Sequence, residues 1–263
     1  MRASISQISS FKACRRKWYL RYNELLVPVN HPESLETGKA YHAFLEELEN
    51  DPDCDTESWG FSKEAAMAKA YKKHIFNKFK VIHAESWLEK KIGEHLLVGI
   101  VDGLSEDGYI VEHKTTSSDI SEGGSYEYDL LWNEQVLAYM SLTGLRKVYY
   151  TVCRKPTIRI KKNETEEEFH NRILEWYDED TDQKIRMFVV ERTDAEVKQF
   201  EEEFVNICDT MDAVKYNLSN NPLNVYRNTC HCNMWGKRCE YSSICLHYDP
   251  EQEYVEFTRK EIK

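Results

Sequence analysis

An aspartate, a glutamate and a lysine near the middle of the chain have the chemical types needed for metal-dependent hydrolysis. Asp102 precedes a turn-like tripeptide, and Glu112 and Lys114 follow it. Paired carboxylates bind hard divalent cations such as Mg²⁺ or Mn²⁺, which polarise a phosphoryl oxygen and lower the pKa of a water molecule. A neighbouring lysine can orient or deprotonate the attacking water and stabilise negative charge. If the fold brings these side chains together, they can hydrolyse a phosphodiester bond.

A β-hairpin is the element that must position these three side chains. Residues 106–108 can form its loop, because Gly108 supplies the left-handed conformation that the last residue of a three-residue loop requires. With this loop, Asp102 lies directly opposite Glu112, and Lys114 shares their face because side chains alternate along a strand. Two carboxylates and an ammonium group are thus predicted to converge. The alternative for the hairpin alone is a surface ladder of salt bridges.

Apolar spacing and end signals predict the elements that surround the hairpin. A helix capped by Ser4 or Ser6 runs to Tyr22, and a helix capped by Ser62 carries apolar residues as far as Phe79. The other predicted elements are helices from about 36 to 50, over 130–143 with Gly144 as its stop, over 164–178 and over 194–214, and strands over 80–92 and 147–153.

An ordered set of residues over 38–140 resembles the PD-(D/E)XK nuclease superfamily, and within it the RecB-like exonuclease branch. The set consists of Gly38-x3-His42, Glu85, Gly99-x2-Asp102, Glu112-x-Lys114-Thr115-Thr116 and Gln135-x3-Tyr139. One departure is Val101, which stands where many members have proline. The resemblance implies an α/β fold with a central mixed β-sheet flanked by helices, the restriction-endonuclease-like core.

The resemblance also implies a set of metal ligands. Asp102 and Glu112 would bind the catalytic Mg²⁺ or Mn²⁺, with His42 and the backbone carbonyl of His113 as further ligands. Glu85 matches a frequent acidic position of the family and would hold a second metal. The alternatives are an ordinary half-buried histidine at His42 and a solvated charge at Glu85.

Three further residues receive catalytic roles from the same resemblance. Lys114 would assist the attacking water, and Gln135 and Tyr139 would position the nucleic-acid backbone or the lysine. Gln135 and Tyr139 share a helix face because they are four residues apart. The alternative is that both pack in the core, with the Tyr139 hydroxyl reaching a partner.

The eight cysteines are unevenly distributed. Without a visible secretory signal the compartment is expected to be reducing, so metal binding or burial is favoured over disulfides. Four cysteines lie near the C-terminus, and four are scattered: Cys230, Cys232, Cys239 and Cys245 in the first group, and Cys14, Cys54, Cys153 and Cys208 in the second. Those at 54, 153 and 208 are expected to be small buried side chains or incidental thiols.

The cysteine pattern resembles the iron–sulfur motif of AddB-like nucleases, CRISPR-associated adaptation nucleases and phage exonucleases. In those proteins three C-terminal cysteines join one in an N-terminal segment like Cys14-Arg15-Arg16-Lys17-Trp18-Tyr19-Leu20-Arg21-Tyr22. The resemblance implies a [4Fe–4S] cluster held by Cys14, Cys232, Cys239 and Cys245, which would tie the chain ends together. Cys230 is a substitute for Cys232. A structural Zn²⁺ site with four cysteines, or free thiols, are the alternatives.

The charge distribution points to a basic N-terminal segment in an acidic protein. The net charge is -11, but residues 1–30 contain six Lys/Arg and a single acid. The cations predicted to bind DNA are Arg15, Arg16, Lys17 and Arg21, which alternate with aromatic residues that can stack on unpaired bases. The alternative is an amphipathic helix with a buried aromatic face. A mixture is expected, with Trp18 buried and some arginines near DNA.

The expected organisation is a single nuclease domain over 1–263. Its parts are a basic helix with the first cluster cysteine (1–35), the catalytic core (36–155), an acidic helical region (156–225) and the cluster segment (226–263). No window is long and apolar enough to span a membrane. The small size of the chain and its resemblance to phage nucleases imply that it acts in the cytoplasm of a bacterium or of a phage-infected host. No motif specifies a protein partner or a homo-oligomer.

The expected function is a Mg²⁺- or Mn²⁺-dependent DNA exonuclease. It would act on single-stranded DNA or DNA ends, in recombination, repair or phage DNA processing. Within the superfamily the alternatives are a structure-specific endonuclease and a nuclease that trims CRISPR spacers. From another class, the alternative is a non-catalytic nucleic-acid-binding module with a four-cysteine metal site. The complete set of Asp102, Glu112 and Lys114 argues against that module, because binding alone does not require it.

Overall fold

The computed structural model describes residues 1–30, 32–217, 224–234 and 236–260. The helices are α1 (Ile5–Ala13), α2 (Arg15–Tyr22), α3 (Glu33–Asn50), α4 (Lys63–His74), α5 (Ser125–Leu130), α6 (Glu134–Thr143), α7 (Glu166–Asp178) and α8 (Asp194–Asn217). The strands are β1 (Arg2–Ser4), β2 (Leu26–Pro28), β3 (Val81–Ile92), β4 (His95–Ser105), β5 (Ile110–Thr116), β6 (Lys147–Arg154), β7 (Ile185–Glu191), β8 (Asn233–Met234), β9 (Lys237–Arg238) and β10 (Phe257–Arg259). Among the described helices, none has the length and apolar character needed to cross a membrane.

The chain folds into two compact units. The central unit comprises residues 32–88 and 99–198, and the terminal unit comprises residues 1–31, 89–98 and 199–263. The central unit contains the candidate catalytic residues, and the terminal unit contains the C-terminal cysteines and the basic N-terminal segment.

A mixed β-sheet forms the middle of the central unit. Strand β5 is antiparallel to β4 and parallel to β6, while β7 is antiparallel to β6. Strand β3 pairs with β4. This arrangement confirms the predicted α/β fold with a central mixed sheet flanked by helices.

Helices cover both faces of this sheet because successive side chains of a strand point to opposite sides. Cys153 of β6 packs with buried residues of α3, α4 and α7, including Leu45 and Tyr177. Its neighbour Val152 packs with buried residues of α6, including Met140. Water is thereby excluded from the middle of β5 and β6.

The terminal unit has a smaller strand content and its own apolar clusters. Strand β1 is parallel to the start of β4, β2 pairs with β10, and β8 pairs with β9. One cluster gathers Leu20, Leu26, Tyr241 and Phe257. Trp18 is fully buried in another, as predicted.

The single helix predicted from Ser4 to Tyr22 is wrong in one respect, because two helices, α1 and α2, occupy this range. Ser4 does cap α1, since its hydroxyl accepts a hydrogen bond from Gln7 N at 3.3 Å. Cys14 interrupts the helix with an extended backbone. The interruption is stabilised by a hydrogen bond from Arg16 N to the Tyr226 carbonyl, which satisfies a donor at the start of α2.

The helix predicted over 130–143 begins later than expected, at Glu134, and the separate short helix α5 ends at Leu130. Asn133 caps α6, because its side-chain oxygen accepts hydrogen bonds from Gln135 N and Val136 N. The predicted stop is confirmed, since Gly144 has φ +77° and caps the C-terminus of α6. Helix α4 ends at His74, before Phe79, and a short 3₁₀ helix over Phe76–Lys78 follows it. Strand β7 was not among the predicted elements.

Candidate active site

The β4–β5 hairpin has the register that the sequence predicts. Gly103 pairs with Val111 and Leu104 with Ile110, and Ser105 N donates to the Tyr109 carbonyl at 2.9 Å. Gly108 has φ +81°, as the loop requires. This register places Asp102 opposite Glu112, so the predicted patch of charged side chains exists.

Glu112 and Lys114 form a buried ion pair on this hairpin. The Lys114 ammonium contacts Oε1 of Glu112, whose side chain is 2% exposed, while Oε2 of Glu112 has no hydrogen-bond partner. Burial raises the pKa of Glu112 to about 7, and the charge of Asp102 adds to the effect although Lys114 opposes it. The pKa of Lys114 is also raised, because the charges of Glu112 and Asp102 outweigh the effect of its burial. The lysine is therefore a firmly held cation.

Asp102 connects the hairpin to helix α3. Its Oδ2 accepts a hydrogen bond from the backbone N–H of His113 at 2.8 Å, and its Oδ1 lies 3.6 Å from Nδ1 of His42. Burial lowers the pKa of His42, and the charge of Asp102 only partly offsets this. A lowered pKa favours the neutral imidazole, which is the form that binds metals.

The His113 side chain belongs to a buried hydrogen-bonded group that the sequence did not predict. Its Nε2 lies 2.8 Å from Oε1 of Glu49, and its Nδ1 lies 2.6 Å from Oγ1 of Thr151. Burial lowers the pKa of His113. The hydrogen bond and the charge of Glu49 act in the opposite direction, and the pKa is raised overall. A sequence signal existed, because Glu49 follows Tyr41 and Leu45 at spacings of four on the buried face of α3.

Gln135 and Tyr139 meet on helix α6. Gln135 Nε2 donates to the Tyr139 hydroxyl at 2.7 Å, and the Tyr139 side chain is buried. Burial raises the pKa of Tyr139, and the charge of Glu112 contributes to the rise, so the hydroxyl lies within electrostatic reach of the ion pair. Gly99 allows this approach, since a Cβ there would lie 2.9 Å from Cδ1 of Leu142 and 3.3 Å from Cε1 of Tyr139.

An open cleft of about 450 Å³ gives access to these groups from one side. Its lining includes Gly38, Lys39, His42, Glu46, Glu85 and Lys114. Glu85 is exposed, with a backbone φ of +33° that is uncommon outside glycine. Burial raises the pKa of Glu85, as do the charges of Glu46 and Asp102. Glu85 is thus influenced by the same acidic side chains that surround Asp102.

The donor set fits a hard divalent cation. Within the described ranges, no group of three or more His, Cys, Asp or Glu side chains forms a ready metal site. The unpartnered Oε2 of Glu112 is nevertheless a buried carboxylate oxygen that requires a cation or donor to offset its desolvation. Asp102 lies within electrostatic reach of it and presents oxygen, the ligand type that Mg²⁺ and Mn²⁺ prefer.

The four cysteines of the predicted cluster all belong to the terminal unit. All eight cysteines of the chain are free thiols; Cys14 is buried and Cys230 is exposed. Burial raises the pKa of the Cys245 thiol, and the charges of Cys14, Cys232 and Cys239 raise it further. The other three thiols thus act electrostatically on Cys245, although the described residues contain no group of three or more His, Cys, Asp or Glu side chains arranged as a ready metal site.

The four predicted DNA-binding cations have different surroundings. Arg15 lies over the Phe11 ring at 5.1 Å. Arg16 is buried and donates to the carbonyls of Val225 and Cys245. Lys17 and Arg21 both pair with Glu240, at 3.3 and 3.4 Å. Of the four, Arg15 is the one whose placement fits an external anion best.

The fold and the hairpin site together define a nuclease core of the PD-(D/E)XK type. The model of the PD-(D/E)XK nuclease superfamily matches residues 2–246. The chain therefore belongs to this superfamily. Among curated proteins, none matches it significantly.

Solved structures of three exonucleases resemble the chain. A putative exonuclease from Eubacterium rectale is 12% identical with a TM-score of 0.51, and the alignment covers 96% of this chain and 90% of that one. A phage-related exonuclease from Haemophilus somnus is 12% identical with a TM-score of 0.42 over 72% and 91%. An alkaline exonuclease from Laribacter hongkongensis is 14% identical with a TM-score of 0.36 over 72% and 76%. The first similarity supports the same fold.

Replacing Glu49 by alanine should destabilise the protein by about 3–5 kcal/mol, because His113 would stay buried without its charged partner. The free energy of unfolding in urea measures the effect. Glu46→Ala, in the same helix but exposed, is the matched control and should change stability by about 0.5 kcal/mol or less. Equal stability losses in the two variants would contradict the assigned Glu49–His113 pair.

Proposed function

We propose that this protein is a metal-dependent deoxyribonuclease that degrades single-stranded DNA or DNA from its ends. The processes it would serve are recombination, repair or phage DNA processing. The observation that carries the proposal is the buried Glu112–Lys114 pair, with one carboxylate oxygen left unpartnered beside Asp102. Free thiols at all eight cysteines fit a reducing compartment such as the bacterial or phage-infected cytoplasm.

Burial distinguishes this site from a surface ladder of salt bridges. In such a ladder both charges are solvated and contribute little to stability. Here the Glu112 carboxylate is desolvated and only one of its oxygens is paired, which is costly for folding alone. Such an arrangement is typical of a site that binds a cation during function.

Lys114 is suited to orient the attacking water and to stabilise negative charge. Its raised pKa keeps the ammonium protonated, so it acts as a hydrogen-bond donor rather than as a base. A donor held close to a phosphoryl oxygen stabilises the charge that develops there. Glu112 fixes the ammonium by accepting from it.

Asp102 and Glu112 would hold the catalytic Mg²⁺ or Mn²⁺, together with His42 and the His113 carbonyl. When bound, the cation supplies Lewis-acid polarisation of the phosphate. Glu85 lines the cleft, and the charge of Asp102 raises its pKa; it would contribute to a second metal site. The Asp102 carboxylate is already oriented by the His113 backbone N–H, so less freedom is lost on binding.

Gln135 and Tyr139 would position the DNA backbone or Lys114. Their mutual hydrogen bond fixes both side chains, and Tyr139 lies within electrostatic reach of Lys114. A nucleic acid as the substrate is supported by superfamily membership and by the name of the Eubacterium rectale structure, a putative exonuclease; DNA is the form of it that we propose. That similarity extends over nearly the whole of both chains.

Lys114→Ala should lower Mn²⁺-dependent degradation of labelled DNA by about 10²- to 10⁴-fold, because it removes the cation beside Glu112. The exposed Lys80, also in the central unit, offers the control variant Lys80→Ala, which should retain activity. A thermal melt of each variant checks that it is folded. Cleavage by Lys114→Ala at the rate of the unaltered protein would refute the proposal, and DNA binding without cleavage by the unaltered protein would favour a non-catalytic binding module.

Linear single-stranded DNA should be degraded progressively to short products, while circular single-stranded DNA should remain intact. The physical reason is that an exonuclease requires a terminus to engage its substrate. Electrophoresis of both substrates over time makes the comparison, and the Lys114→Ala variant serves as the blank. Cleavage of the circle at a comparable rate would indicate an endonuclease instead.

We also propose a [4Fe–4S] cluster bound by Cys14, Cys232, Cys239 and Cys245. The support is the family resemblance of the spacing, the free state of the four thiols and their mutual electrostatic effect on Cys245. Four thiolates are the usual ligand set of such a cluster. Bound there, it would stabilise the terminal unit by linking the junction of α1 and α2 to the chain on either side of β8 and β9.

Protein purified without oxygen should be brown and contain about four iron atoms per chain. Cys245→Ser should lose most of the iron, whereas Cys54→Ser should keep it, because Cys54 is distant in sequence and lies in the central unit. An iron assay and a visible absorption spectrum provide the measurement. A colourless protein with about one zinc per chain would overturn the cluster in favour of a zinc site.

A further inference from the structure

A second cleft, of about 600 Å³, lies within the terminal unit and has no role in the proposed hydrolysis. Helices α1, α2 and α8 and the segment after α8 contribute to it. Its polar lining consists of Lys12, Arg15, Asn206, Thr210, Tyr226 and Asn228. The volume is in the range of ordinary ligand sites.

The lining has the chemistry of a nucleotide-binding surface. Among the described residues that line the cleft, two carry positive charge and none carries negative charge. Lys12 and Arg15 can therefore attract a phosphate, and Arg15 is steadied by its position over the Phe11 ring. Tyr226 supplies an aromatic ring that is 67% exposed, and a base can stack on it.

The wall that carries Tyr226 is held in place by hydrogen bonds around the break between α1 and α2. Arg16 N donates to the Tyr226 carbonyl at 3.1 Å, Asn228 N donates to Cys14 Sγ at 3.4 Å, and the Asn228 amide donates to the Ala13 carbonyl at 3.1 Å. The backbone at Tyr226 and two residues after it is thus fixed while its ring remains in solvent. An exposed aromatic ring on a fixed backbone loses little entropy when a ligand stacks on it.

We propose that this cleft binds one nucleotide unit of a single nucleic-acid strand, with its phosphate at Arg15 and Lys12 and its base against Tyr226. The proposal rests on the proposed function in so far as nucleic acid is the ligand. It adds a strand-binding site that is separate from the hydrolytic residues and that requires no divalent metal. Its preference is for unpaired bases, since a paired base does not offer its face to a side chain.

Fluorescence anisotropy with labelled oligothymidine, in EDTA and with the full chain, tests the site without cleavage. Tyr226→Ala should weaken binding by about 5- to 150-fold. Arg15→Ala should weaken binding and reduce the slope of log K against log salt by about 0.7, the value for one phosphate contact on a single strand. An oligomer of abasic units should bind the unaltered protein and Tyr226→Ala equally, because no base is present to stack.

Matched controls come from the same unit. Tyr216→Ala removes another exposed tyrosine, which is 84% exposed on α8, and Lys91→Ala removes another exposed cation. Both variants should bind oligothymidine like the unaltered protein. Thermal melts of all four variants check that they are folded.

Equal binding by Tyr226→Ala and Tyr216→Ala would overturn the proposal, and so would a salt slope that Arg15→Ala leaves unchanged. Displacement of the oligomer by thymidine monophosphate at a concentration comparable to that of the oligomer would assign the cleft to a free nucleotide. That result would overturn the proposal that a nucleic-acid strand binds there. If any of these results is obtained while the protein still cleaves DNA and the cleavage still depends on Lys114, only the proposed binding cleft is refuted. Absence of both binding and cleavage in the unaltered protein would refute the proposed function as well.

Discussion

A glutamate as deeply buried as Glu112 stays ionised at neutral pH only while a cation compensates its lost hydration. Lys114 supplies part of that compensation. Burial raises the pKa of Glu112, whereas the pKa of Lys114 is raised by the charges of Glu112 and Asp102, which outweigh the effect of its burial. The removal follows from the sheet, because β5 lies between β4 and β6 and helices cover both faces. The layered architecture of the central unit thus sets the electrostatics of its site, and the unpartnered oxygen of Glu112 is the point at which compensation is incomplete.

The hairpin could be predicted because its register depends on local sequence. Contacts between residues far apart in the sequence could not be predicted. The register depends on one loop glycine and on strict alternation, both of which are visible in a short segment. The Glu49–His113 pair joins residues 64 apart, and no local pattern selects His113 as the partner. The break at Cys14 likewise depends on Asn228, 214 residues further along the chain. Propensity favours one helix there, and tertiary hydrogen bonds override it.

Net charge describes this protein poorly, because the cations of the basic N-terminal segment differ in their burial and in their partners. Arg16 donates hydrogen bonds to two backbone carbonyls, and Lys17 and Arg21 both form ion pairs with Glu240. Arg15 instead lines an open cleft beside an exposed tyrosine. Sequence composition counts these four residues equally, but their capacity to attract phosphate is decided by their partners. Burial and pairing therefore determine which part of a basic segment remains a binding surface.

Helix α3 touches the hairpin at two points separated by two turns. His42 faces Asp102, and Glu49 holds the ring of His113. Seven residues of α-helix span about 10.5 Å, so the two contacts define both the rotation of the helix about its axis and its position along that axis. A slide of one turn would break both at once. Polar contacts therefore specify where along its length α3 meets the catalytic strands, a choice that the apolar packing of Tyr41, Leu45 and Leu48 does not make alone.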